Sequence, residues 1–296
     1  MTMWKLSVIT DEISQDVFRA AALAQEFALS GLEIRSAFDR DAYHLTDADV
    51  SAIRDAARAE GLSVCAVAPP FFKSDLGDEA ATRAHLEGLK RCAETAGKLG
   101  AKIVRGFGFW RAGDGIPYTR IADEIRRAIP ILETADVTLA LENDPSVFTS
   151  DGKTLAALVE AVSHPRVGAL WDPGNVIFDE GNERPYPDGY AALCGKIVHM
   201  HLKDARRVGG KPGAVAFGAG EVDYEGQFRA LRADGYAGWM SVETHYRLDR
   251  PLSEAQMKRP TGLNFTAGGE AATADFLIHL KNRLRAWGFM EEGPEK

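Results

Sequence analysis

Short apolar runs and longer stretches of helical periodicity alternate along the whole chain. Residues 5–10 alternate loosely and are rich in β-formers, which predicts a first strand. Ser14 then reads as an N-cap, with Asp16 in the first turn, for a helix to about Leu29. Gly31 follows as its stop, and residues 32–35 form a second strand. Thr46 and Asp49 resemble a capping box with Asp in place of Glu, opening a helix that Gly61 ends. Residues 62–68 are a third strand. A long amphipathic helix runs from Asp78 to about Leu99-Gly100, before a fourth strand at 101–106.

The second half keeps the rhythm. A helix from Pro117 to about Ala135 leads to residues 137–142, an apolar run that ends in Glu142 and is followed by Asn143, Asp144 and Pro145. Ser150 or Asp151 caps the next helix, and residues 167–171 run into Asp172. A short helix near Tyr190 precedes residues 196–200, which end in His201. The helix 224–233, stopped by Gly235, precedes residues 238–242, which end in Glu243. A last long helix covers about 270–287. Eight strand–helix units over roughly 250 residues predict an α/β fold, a (β/α)8 TIM barrel in a single domain over 1–296. The rival, a doubly wound open sheet, lacks a Gly-x-Gly-x-x-Gly turn after the first strand. Only 291–296 read as a disordered tail.

Composition narrows the partners. A formal net charge of -8 argues against a nucleic-acid groove that works by bulk electrostatics. The N-terminus has no long apolar segment and nothing approaches a membrane span, so a soluble, cytoplasmic protein is expected. Cys65, Cys92 and Cys194 show no metal-type spacing and read as reduced core thiols.

A carboxylate where a strand leaves the core is costly unless something pairs it. Four successive runs end in Glu142, Asp172, His201 and Glu243, at the end of the strands where barrel enzymes place their active sites. Three carboxylates and an imidazole suit Mn2+, Mg2+ or Co2+ better than a thiolate-type zinc site does. The bland alternative is that each acid caps a helix or pairs with a Lys or Arg.

These motifs, "LALEN" at Glu142, "LWDPGN" at Asp172, "VHMHLKD" at His201 and "SVET" at Glu243, resemble the ligand series of the xylose isomerase-like barrels. That family includes tagatose 3-epimerase-like and inosose dehydratase-like enzymes, and the resemblance covers nearly the whole chain from "ITDEIS" onward. It implies that all four residues hold one divalent metal, Mn2+ foremost, bridging two oxygens of a keto sugar. Glu142 and Glu243 would be the acid/base pair on opposite faces of the carbon between, working through a metal-stabilised enediolate. The expected activity is sugar isomerisation or epimerisation within carbohydrate metabolism. The alternative is a dehydratase or lyase acting by β-elimination on a keto-cyclitol or 3-keto-glycoside.

Around the metal, the resemblance makes Arg207 a substrate contact, with Arg206 as the neighbouring alternative. Lys203 shares the inward parity of His201 and is expected at a ketone or hydroxyl, unless it pairs with Asp204. His199, one layer deeper, reads as a buried histidine. Asn175 stands where some members bind substrate through a histidine. Glu33 is expected either at the substrate or in a salt bridge with Arg35 or Arg105. Trp110 and Phe71-Phe72 would be apolar walls or mouth packing, and His245 either faces the substrate or, as the preferred reading, is an ordinary loop residue. Gly218-Ala219-Gly220 is read as a turn and not as a phosphate cradle, since no lysine follows as in a P-loop. Residues 248–267 are long for a βα connection and are expected to form a lid or a subunit contact. Family members are often dimers or tetramers. An abasic-site endonuclease would need more histidines at the strand ends, and a non-catalytic sugar sensor would not need the Glu142/Glu243 pair.

Overall fold

The computed structural model describes residues 4–258 and 260–290. Eight strands close into a parallel barrel: β1 Lys5–Ile9, β2 Gly31–Ile34, β3 Ser63–Phe71, β4 Ile103–Gly106, β5 Thr138–Glu142, β6 Val167–Trp171, β7 Ile197–Leu202 and β8 Trp239–Val242. Each pairs with its sequence neighbours, and β1 meets both β2 and β8. The expected fold is therefore the observed one. Helices cover the outside, and a large apolar layer lies between strands and helices. A separate small cluster of Cys65, Ala66, Ile103, Ala140 and Leu170 packs apart from it.

Local signals explain most boundaries. Thr46 and Asp49 form both halves of the capping box on Asp47–Ala59. Asp151 caps Gly152–Val162 through Thr154, so it and not Ser150 starts that helix. Asp16, not Ser14, caps Val17–Glu26; Ser14 Oγ instead accepts from Asp16 N–H at 3.0 Å. The single helix expected over 117–135 is two, Tyr118–Arg126 and Ile129–Ala135. Pro130 in the first turn of the second has no N–H for the helical ladder. Gly31 opens β2 and does not stop a helix. A Cβ there would lie 2.7 Å from the Trp239 ring and 2.8 Å from the Ser63 carbonyl oxygen, so close approach explains the glycine.

Two features were not foreseen. Residues after His201 form a hairpin, Asp204–Val208 paired antiparallel with Lys211–Val215. The long connection before the last helix holds two short helices, Glu254–Lys258 and Gly262–Thr266. Cys65 and Cys92 are buried as expected, but Cys194 is exposed, its thiol 3.4 Å from Asp234 Oδ2. The tail 291–296 lies outside the described residues. Among the described residues, no helix is long and apolar enough to cross a membrane.

Candidate metal and active site

The four predicted ligands come together. Glu142 is the last residue of β5, Asp172 and Glu243 directly follow β6 and β8, and His201 lies near the end of β7. One ligand atom from each lies within 4.8 Å of every other, and all four residues are buried. Oxygen or nitrogen donors about 2.0–2.3 Å from a common cation would span about that distance, so the set fits one divalent ion.

His201 shows how the ring is aimed. Its Nδ1 faces Glu142 Oε1 at 3.2 Å and Glu243 Oε2 at 3.4 Å, while Nε2 lies 3.1 Å from Glu33 Oε1. The other Glu33 oxygen is 2.7 Å from His199 Nε2, which also meets Ser241 Oγ at 3.3 Å. Ser241 Oγ in turn is 2.6 Å from Ser7 Oγ, and the Cys65 thiol reaches Ser7 at 3.3 Å. A polar chain thus climbs the barrel interior to the back of a ligand. The expected direct sugar contact through Glu33 is corrected: it is fully buried with both oxygens taken by histidines, and it pairs with neither Arg35 nor Arg105.

The carboxylates are held from outside the ligand set as well. Arg105 Nη1 lies 3.1 Å from Glu142 Oε2 and Arg35 Nη1 lies 2.7 Å from Glu243 Oε1. Arg35 also donates to Asp11 and Glu12 and is only 2 % exposed. Lys203 Nζ bridges Asp172 Oδ2 at 2.8 Å and Asn175 Oδ1 at 2.9 Å, and forms an ion pair with Glu243 Oε2 at 2.6 Å. Its expected alternative partner, Asp204, instead accepts the N–H groups of Gly218 and Gly220. That explains the Gly-Ala-Gly turn: the cradle holds a carboxylate of the chain itself.

Burial alone would raise every one of these acids. It does so for Asp172, pushed up to about 7 despite Lys203. For Glu142 burial is outweighed by His201 and Arg105, and for Glu243 by His245 and Lys203, so both stay below the usual carboxylate range. His201 is opposed by its own burial but raised well above normal by Glu33 and Glu142. Asp172 and His201 thus hold a proton more readily than usual, and Glu142 and Glu243 less readily.

A cavity of about 330 Å³ opens over the cluster, lined by Glu142, Glu243, Asn175 and Lys203 among others. Asn175 and Lys203, expected at the substrate, both line this cavity. Arg207 does not line it; its guanidinium turns to the Asp179 carbonyl oxygen on the hairpin side. Trp110 borders an adjoining cavity, and Phe71 and Phe72 are buried in an aromatic stack with Phe109. Sequence reasoning passed over Lys73 and Asp144, a 2.6 Å ion pair on the cavity wall; His245, on a loop, lines the cavity and meets Glu12 at 2.8 Å, so the less favoured of its two readings, facing the substrate side, fits its place.

A closed parallel barrel with a carboxylate–histidine cluster at its strand ends defines a (β/α)8 protein with a candidate metal site. More narrowly, the chain belongs to the xylose isomerase-like TIM barrel family, whose model matches residues 21–263. Among curated proteins, L-ribulose-5-phosphate 3-epimerase of Escherichia coli is 27% identical over 189 residues, covering 61% of this chain and 63% of that protein. Among solved structures, D-allulose 3-epimerase from Methylomonas sp., in complex with D-allulose, superposes with a TM-score of 0.73 at 16% identity, covering 96% of this chain and 98% of that one. The IOLI protein with a bound zinc atom gives 0.73 at 19% identity, over 96% and 99%.

Proposed function

We propose that the chain is a divalent-metal-dependent sugar isomerase or epimerase that removes a proton alpha to the carbonyl of a keto sugar. The observation that carries this is the buried Glu142–Asp172–His201–Glu243 cluster, open to a sugar-sized cavity. Its relatives' names, an L-ribulose-5-phosphate epimerase and a D-allulose epimerase, point to the same chemistry.

Mn2+ is the preferred ion for these hard donors, with Mg2+ or Co2+ as substitutes. Bound there, the cation supplies charge stabilisation for the carbonyl oxygen as the alpha proton leaves. Glu142 or Glu243 accepts that proton and the other carboxylate returns one at the opposite face, which inverts the centre. Arg105 beside Glu142 and Arg35 beside Glu243 aim the two side chains, of which one acts ionised as the base and the other protonated as the acid. Lys203 and Asn175, held to each other and to Asp172, are the contacts we assign to the sugar oxygens.

The test is proton NMR in deuterated water with manganese and a panel of ketoses and inososes. Deuterium should enter the alpha carbon without loss of mass; release of water and an ultraviolet-absorbing enone would mean elimination instead. Glu142→Gln and Glu243→Gln should each abolish exchange, a loss of about two to four orders of magnitude. Exchange retained in both would remove these carboxylates from the mechanism.

A further inference from the structure

Beside the cluster lies a second cavity of about 280 Å³, lined by Arg35, Lys73, Arg105, Trp110 and Asp41 and closed by Pro260 and Thr261 of the long connection. Lys73 borders both cavities, so the two share a wall. We infer that this second cavity binds an anionic end group of the substrate, a phosphate or a carboxylate, so that the natural substrate is an acidic keto sugar. The inference rests on the proposed ketose chemistry and names its substrate class.

Several observations converge. The Arg105 guanidinium lies 5.0 Å and Lys73 Nζ 4.3 Å from the centroid of the same ring, Phe107. Each already meets one carboxylate, Asp144 at 2.6 Å for Lys73 and Glu142 at 3.1 Å for Arg105, and an anion in this cavity would give both a further partner. Arg105 is 5 % exposed, yet its Nε–H, in a fully buried position, has no hydrogen-bond acceptor. Its Nη groups reach only Glu142 and the Ala68 carbonyl, so donors of its planar fork remain for a planar or tetrahedral oxyanion. Asp41, the single carboxylate among the described residues that line this cavity, already accepts from Tyr43 N–H at 2.9 Å and faces His44 Nδ1 at 2.7 Å.

Position agrees with this. Arg105 and Arg35 each touch one catalytic carboxylate while lining the second cavity. A sugar with its carbonyl at the cluster would therefore direct its far end past Lys73 toward the two arginines.

The test uses the metal-loaded full chain and sugars matched except at the end remote from the carbonyl: a ketopentose against its 5-phosphate, and a ketohexose against the corresponding ketouronate. Exchange of the alpha proton in deuterated water gives kcat/KM for each. In one pair the charged sugar should be preferred by about tenfold or more, the worth of one lost charge-assisted hydrogen bond. The favoured pair tells phosphate from carboxylate. Lys73→Met should collapse the charged-to-neutral ratio and Lys73→Arg should keep it. Equal use of neutral and charged sugars, or a ratio unmoved by Lys73→Met, overturns the inference. If no ketose exchanges, the proposed reaction has failed, and calorimetric titration of the metal-free chain with inorganic phosphate and with acetate decides the anion site alone. Saturable binding weakened about tenfold by Lys73→Met upholds it; absence of binding overturns it.

Discussion

Glu33 bears on the candidate metal cluster through the far nitrogen of one member, His201. A carboxylate on the far nitrogen of a ligating imidazole fixes the ring and its tautomer and raises its basicity, and such partners are worth about 10–100-fold in metal affinity. We therefore predict that Glu33→Gln weakens manganese binding by about that factor in a chelator competition, while the chain stays folded by circular dichroism. A second residue-scale prediction concerns Asp144. Burial would raise its carboxyl, but Lys73 at 2.6 Å and Ser146 hold it down to about 2. Its folded pKa lies below the unfolded value of about 3.9, so its stabilisation, on the order of 2 kcal/mol, is present above about pH 4 and is lost as pH falls through about 2. Lys73→Met should cost stability at neutral pH, and the gap from wild type should close on acidification in denaturant titrations. Arg35 carries more risk: its loss would leave Asp11, Glu12 and Glu243 buried together, a cost of about 3–5 kcal/mol.

At the scale of elements, the caps set the helix starts. Asp151→Ala should remove the cap on Gly152–Val162 and cost about 1 kcal/mol, read as a small fall in melting temperature. The barrel was legible because each strand is a short apolar run between turn residues. The Glu142–Asp172–His201–Glu243 cluster was legible because each polar residue stands where such a run leaves the core. Glu33's partners were not, since β2 and β7 meet only across the interior and no local pattern records that distance. Arg207 was misplaced because the hairpin turns its guanidinium away from the cavity. That hairpin did leave a signal, Gly209-Gly210 between short extended stretches, which the glycine-rich composition around it obscured. Lys73 and Asp144 carried no sequence signal at all: each is an ordinary charged residue just past a strand, and only closure of the barrel pairs them.

For the whole molecule, one cation at the mouth would tie four neighbouring strands together. Because it binds the folded chain and not the unfolded one, manganese at about one hundred times its dissociation constant should add about 2.7 kcal/mol to stability. Calorimetry with and without a chelator reads this directly, and elemental analysis of purified protein should show about one divalent ion per chain. A melting temperature indifferent to chelator would remove the ion from the fold.

The clasp between opposite sides of the barrel also sets how this sequence can drift. Glu33 and Arg35 sit in the first quarter of the chain, yet they answer to His199, His201 and Glu243 in its last third. A change at either end strands its counterpart in a dry interior, so inheritance must carry both together or neither. The connections at the mouth carry one such bond too, since Lys73 and Asp144 stand on two different connections and the loss of either would strand the other.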